Sequence, residues 1–290
     1  MGDGETPDAP RPDHRPVPDR MSTDTPAIDY GAYRFIRSER RGRVLTLTLD
    51  NPPMNTVQMG LHNELSRIFH DVQVDHDCDV VVLTGGGDVF SAGGDIPNMQ
   101  RRIDDPGLFD RKNVEMKRIV FGLIELEKPI VCRINGDCFG LGATLALLCD
   151  IIVAVDTARI ADPHVKMGYV AGDGGAIIWP QLVGFARAKQ YLLLGDPLDA
   201  REAERIGLIN YAVPHDELDA RVDAIVDRLA NGATKAIRWT KTSMNIQLRQ
   251  IAHAALDASL AYEALTNISA DHQEAVNAFK EKRRPRFTGR

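Results

Sequence analysis

Two glycine-rich stretches carry the clearest chemical signal in this chain: Phe90-Ser91-Ala92-Gly93-Gly94-Asp95 and, about forty residues later, Asn135-Gly136-Asp137-Cys138-Phe139-Gly140-Leu141-Gly142. Each follows a strand-like apolar run, Val80 to Thr84 and Pro129 to Ile134, and each leads into helix-compatible sequence. Strand-to-helix turns of this kind present backbone N–H groups. Two of them side by side supply preorganised donors where a carbonyl oxygen gains negative charge during reaction. A glycine after a strand also serves simply as a turn residue of positive φ, so the pair carries more weight than either loop alone.

Two further side chains can move protons. His164 is of a type that titrates near neutral pH when unperturbed, and it can equally serve as a hydrogen-bonded wall residue. Asp173, in Ala171-Gly172-Asp173-Gly174-Gly175-Ala176, can act as a base or cap the helix expected from Ile177 to Val183. Other chemistries fit less well. The run Gly140-Leu141-Gly142-Ala143-Thr144-Leu145 ends in Leu where a dinucleotide fingerprint needs Gly or Ala. There is no GKS/T P-loop, and Ser91 lacks the GxSxG elbow of a hydrolase. No His, Cys and Asp cluster has metal-ligand spacing, so neither a metal nor a separate cofactor is expected.

The elements that must hold these groups alternate. Val44 to Asp50 reads as a strand, and Leu61, Leu65, Ile68, Phe69 and Val72 recur at helical spacing. The strand Val80 to Leu83 comes next, then a polar connection around Ile96 to Phe109. A helix from about Leu108 to Leu126, the strand Ile130 to Ile134, the helix Gly140 to Leu148 and the strands Ile151 to Val155 and Ala158 to Ala161 complete the alternation. That order implies βαβ units with a buried sheet. After Asp199 a capped helix ends at Gly207 and a short strand spans Ile209 to Val213. Helices then follow near Leu218 to Ala230, Ala233 to Leu248, Ile251 to Asn267 and Asp271 to Lys282.

At 290 residues with formal net charge −6, the chain is long enough for a large core and lacks the clustered cations of a general nucleic-acid binder. Its one dense basic run lies at Lys280 to Arg286. The four cysteines show no CxxC spacing and fit reduced thiols of a cytoplasmic protein. No stretch approaches the length of a membrane span, and Met1 to Ala27, rich in Pro and Asp, has too little apolar surface to order.

The paired motifs FSAGGDI and INGxxxGxG, with LxLxCD closing at Cys149-Asp150, resemble the crotonase superfamily, the enoyl-CoA hydratase/isomerase family of acyl-CoA enzymes, from about Tyr33 to the C-terminus. The resemblance implies an α/β fold, a crotonase-like spiral of ββα repeats over residues 30–215 after a disordered extension 1–29. A helical trimerisation region over 216–290 would make a homotrimer or dimer of trimers. It implies that the N–H groups of Gly94 and Leu141 form the oxyanion hole. Met54, Asn55, Ala92, Asp95, Gly140 and Lys282 would contact the acyl-CoA thioester, coenzyme A being part of the substrate. The lysine often found two residues after the motif aspartate is Pro97 here. The two glutamates that hydratases of the family use correspond to Thr144 and His164. A two-carboxylate hydration is therefore not expected. Isomerisation or a non-standard hydration, with Asp173 as acid/base assisted by His164, is the first reading. Hydrolysis of a thioester or of a carbon–carbon bond beside a ketone, or acyl-CoA binding without catalysis, are the alternatives.

Overall fold

A computed structural model describes residues 28–290; the stretch 1–27 expected to be disordered lies outside the described residues. In chain order the elements are β1 (Ile36–Arg41), β2 (Val44–Leu49), α1 (Met59–Val74), β3 (Val80–Gly85), α2 (Ile96–Asp104), α3 (Leu108–Glu125), β4 (Ile130–Ile134), β5 (Cys138–Phe139), α4 (Leu141–Leu147), β6 (Ile151–Val155), β7 (Arg159–Ala161), α5 (Gly175–Leu194), β8 (Leu198–Asp199), α6 (Ala200–Arg205), β9 (Tyr211–Val213), α7 (Leu218–Ala230), α8 (Thr234–Asn267) and α9 (Ala270–Lys280).

Six strands form one sheet in the order β1-β2-β3-β4-β6-β9. β1 is antiparallel to β2, and every later pairing is parallel. All six residues of β3 are buried, as a parallel strand covered on both faces requires. The apolar stripe of α1 predicted from spacing is buried at Leu61, Leu65, Ile68, Phe69 and Val72. A second, short sheet, β5-β7-β8, stands beside the glycine-rich loops. Leu218, Val222 and Val226 of α7 and Ala252, Leu256 and Leu260 of α8 join the same hydrophobic core as the sheet.

Three local expectations are corrected. The polar connection after the first glycine loop contains α2, with Asp95 as its N-cap, accepting from Asn98 N at 3.2 Å, and Pro97 in its first turn, where a missing N–H is harmless. The two helices expected at Ala233 to Leu248 and Ile251 to Asn267 are one helix, α8. The inward face runs through Lys241, Asn245, Leu248, Ala252, Leu256 and Leu260 at spacings of three and four, with Arg249 and Gln250, both good helix formers, on the exposed side. α5 joins two helical stretches across a non-helical Gly184 with φ 74° and ψ 162°, so the helix expected to end at Val183 does end there, and a second stretch, not expected from the sequence, runs on to Leu194. All four cysteines are buried and free. Among the described residues no helix is long and apolar enough to cross a membrane.

Candidate active site

The two glycine loops meet. Phe139 N donates to Ser91 O at 2.9 Å, and Phe90 N and Ser91 N both approach Asp137 O at 3.1 Å. A Cβ on Gly93 (φ +82°) would lie 2.7 Å from Phe139 O, and one on Gly140 (φ +54°) would lie 3.7 Å from Gly93 Cα and 3.8 Å from His164 Cε1. Glycine is needed at both positions because of the φ values and because the loops touch backbone to backbone. Leu141 is the first residue of α4, so its N–H has no carbonyl partner within the helix. Among the described residues, no oxygen accepts the Gly94 N–H in the loop hydrogen-bond network. Two free donors therefore flank the junction.

A cleft of about 570 Å³ opens at this junction, lined among others by Met54, Ala92, Gly94, Asp95, Gly140 and His164. Leu141 and Asp173 lie behind its lining, and Asn55 and Lys282 are outside it as well. The Asn55 side chain donates to Gly86 O and Val89 O, both at 2.8 Å, and its main-chain oxygen accepts from Ser91 Oγ at 2.7 Å, so the residue braces the loop from within. Lys282 is exposed, three residues beyond Phe279, which does line the cleft.

His164, Thr144 and Asp173 come together from three segments. His164 opens the short turn His164–Met167 after β7. Thr144 is fully buried in α4. Asp173 sits in the turn before α5 and is 3% exposed. Thr144 Oγ1 donates to Asp173 Oδ1 at 3.4 Å, and His164 Nε2 lies 3.3 Å from Asp173 Oδ2. The two positions that correspond to the hydratase glutamates thus converge on one carboxylate. The capping alternative for Asp173 fails, because the N-cap of α5 is Gly174 and, among the described residues, that helix end has no side-chain cap hydrogen bond.

Asp162 completes the array, and sequence reasoning misses it. Its Oδ1 accepts from His164 Nδ1, and its side chain is inaccessible to solvent. Its other oxygen is buried and has no partner among the described residues, and a Cβ on Gly175 would sit 2.1 Å from it. The signals available were its place two residues before His164 and the Gly174-Gly175 pair that makes room for it. Burial works against charge on His164, yet Asp162 and Asp173 together raise its pKa well above the usual histidine value. Burial likewise opposes the charge of Asp173, but the His164 imidazolium, with Lys112 and His62 further off, holds that carboxyl below its usual range. The His164 ring thus stands between the carboxyl groups of Asp162 and Asp173, an arrangement that favours its charged form.

Asp162, His164 and Asp173 offer three ligand atoms within 4.8 Å of one another. Both ring nitrogens of His164 already face carboxylates on opposite edges, so the set reads as an ion triad rather than a cage that converges on one ion.

α8 clamps the far side. Tyr169 stacks on His164 with centroids 6.0 Å apart and sends its hydroxyl to Asn267 Oδ1 at 3.2 Å, and Val170 N donates to Thr266 Oγ1 at 3.2 Å. A Cβ on Gly172 would sit 2.4 Å from Ser259 O. Glu263, fully buried on the same helix, pairs with Lys112. The unbroken α8 thus fixes the segment that carries Asp173.

The family model for enoyl-CoA hydratase/isomerase matches residues 39–290. The chain is 33% identical to 1,2-epoxyphenylacetyl-CoA isomerase of Escherichia coli over 88% of its own length and 99% of that protein. A crystal structure of an enoyl-CoA hydratase/isomerase from Mycobacterium paratuberculosis is similar with a TM-score of 0.81 at 32% identity, covering 84% of this chain and 97% of the other. A β-diketone hydrolase from the cyanobacterium Anabaena is similar with a TM-score of 0.77 at 27% identity, covering 82% of this chain and 96% of that one.

Proposed function

The chain belongs to the enoyl-CoA hydratase/isomerase family, and from that premise we propose that it moves a proton at the α-carbon of an acyl-CoA thioester with a single carboxylate. The thioester oxygen lies between the N–H groups of Gly94 and Leu141, which stabilise the enolate formed when the α-proton leaves; each such donor contributes about 10²–10³ in rate. Asp173 takes the proton and returns it, to the same carbon or to the γ-carbon. His164, fixed by Asp162, keeps Asp173 ionised and aimed.

One observation carries this reading: Thr144 and His164 both bond Asp173. Hydration needs one group to deprotonate water and another to protonate carbon, whereas migration of a double bond needs one group that does both in turn. The fold therefore supports isomerisation over hydration. Incubation with 3-enoyl-CoA and 2-enoyl-CoA esters, with products separated by chromatography, tests it. Interconversion of the double-bond isomers is expected, and accumulation of the 3-hydroxyacyl ester as the main product would refute it.

Hydrolysis of a carbon–carbon bond beside a ketone is the second reading. It is supported by His164 lining the cleft with Asp162 behind it, and by the likeness to the β-diketone hydrolase. It requires a neutral imidazole as base, and the raised pKa of His164 counts against it. For assembly, we propose a trimer or dimer of trimers built through α5 and α8. Phe185 and Leu193 are 67% and 69% exposed on one, and Met244 and Leu265 are 72% and 64% exposed on the other.

A further inference from the structure

A second cavity, of about 140 Å³, lies between α1, α2 and α3 and is lined by Val57, Met59, His62, Asn63, Arg102, Leu108, Arg111, Lys112 and Glu115. That is the size class that takes a benzene-sized group. It adjoins the reaction centre on two sides. Val57 N donates to Gly93 O at 2.8 Å, one residue before the Gly94 donor. Lys112 pairs with Glu263, whose Cβ is 2.7 Å from the position of a Cβ on Gly172, the residue before Asp173. Thr56 lines the cleft and Val57 this cavity, so consecutive residues of one loop face the two spaces.

The charges of the lining are unequal in availability. Glu115 is its one carboxylate, and both oxygens are taken, Oε2 by His62 Nδ1 at 2.7 Å and Oε1 by Asn63 Nδ2 at 2.8 Å. Lys112 is paired with Glu263. Among the described residues no carboxylate lies within ion-pair distance of Arg102 or Arg111, and Arg102 Nε is buried without a partner. Two guanidinium groups without a carboxylate partner among the described residues, Arg102 also facing the Tyr169 hydroxyl, stand beside apolar Val57, Met59 and Leu108. They suit a short hydrocarbon ending in an anion, since a guanidinium fork matches a carboxylate in shape and charge.

We propose that this cavity receives the far end of the acyl group and that this end is a carboxylate held by Arg102 and Arg111. The substrate class is then a CoA thioester of a short dicarboxylic acid, an inference that rests on reading the cleft as an acyl-CoA site.

Calorimetric binding of freshly prepared saturated esters, which have no double bond to move, tests it: butyryl-, valeryl- and hexanoyl-CoA against succinyl-, glutaryl- and adipyl-CoA, with the full chain. At least one ω-carboxyl ester is expected to bind about tenfold or more tighter than the neutral ester of equal length, the worth of a charge-assisted hydrogen bond. Arg102→Met is expected to abolish that preference and leave neutral esters unchanged, with Arg102→Lys retaining part of it. Arg111→Met, at an exposed position, is expected to weaken the preference whatever the fate of the Arg102 variants in folding. Equal or weaker binding of every ω-carboxyl ester overturns the inference while leaving the acyl-CoA reading intact. Failure of all six esters to bind overturns both.

Discussion

Replacing Asp162 by Asn isolates the part of the site that tunes rather than touches substrate. The Asp162→Asn amide would keep an oxygen in front of His164 Nδ1 and remove the charge. A hydrogen bond to a charged group contributes about 1.5–3 kcal/mol and a neutral one about 0.5–1.5 kcal/mol, a difference near 1–1.5 kcal/mol and hence about tenfold in rate. The pH dependence is the sharper readout. His164 is raised well above its ordinary pKa, against burial, by Asp162 first and Asp173 second, so the imidazolium that orients Asp173 persists through neutrality and is lost as pH rises through the folded-state value. Activity in the wild type should be flat through neutral pH and fall on the alkaline side. In Asp162→Asn that fall should move to lower pH. The raised pKa also contributes stability that is fully present below the unfolded histidine value and lost as pH rises, so the variant should lose most melting temperature in mildly acidic buffer and least in alkaline buffer. Profiles of kcat/KM against pH, with the His164 Cε1–H resonance followed by NMR, measure both. An unchanged alkaline limb and an unchanged resonance titration would refute the triad argument.

The backbone and the clamp make two further predictions. Leu141→Pro removes the donor at the first helical position, where proline is tolerated, and should lower kcat by about 10²–10³; Leu141→Ala keeps the N–H and should stay far closer to wild-type turnover, so equal losses in the two variants would count against a backbone oxyanion hole. Lys112→Met leaves the buried Glu263 carboxylate without its cation and should destabilise by about 3–5 kcal/mol, read by denaturant titration, whereas adding Glu263→Leu should restore most of that loss.

The oxyanion loops were legible because backbone chemistry leaves a strict mark: Gly93 and Gly140 are required where two loops touch, and the spacing of strands around them is local. Asp173 was legible as a carboxylate among glycines, though the sequence left its role open between base and cap. Asp162 was not, because an aspartate before a proline at the end of a strand has many uses, and only folding sets it against His164 Nδ1. α2 was hidden by Pro97 and a polar surface, and the continuity of α8 by the polar pair Arg249-Gln250 that interrupts its apolar run. The Glu263 to Lys112 pair joins residues 151 positions apart, a relation no local pattern encodes.

The central claim is that Asp173 exchanges a proton with the α-carbon of a bound thioester. Proton NMR of a saturated acyl-CoA in deuterated buffer measures this without knowledge of the physiological acyl group. Wild-type protein should exchange the α-protons for deuterium, and Asp173→Asn should slow that exchange by about 10²–10⁴ with the affinity for coenzyme A nearly unchanged. Exchange at the wild-type rate in Asp173→Asn would contradict the account.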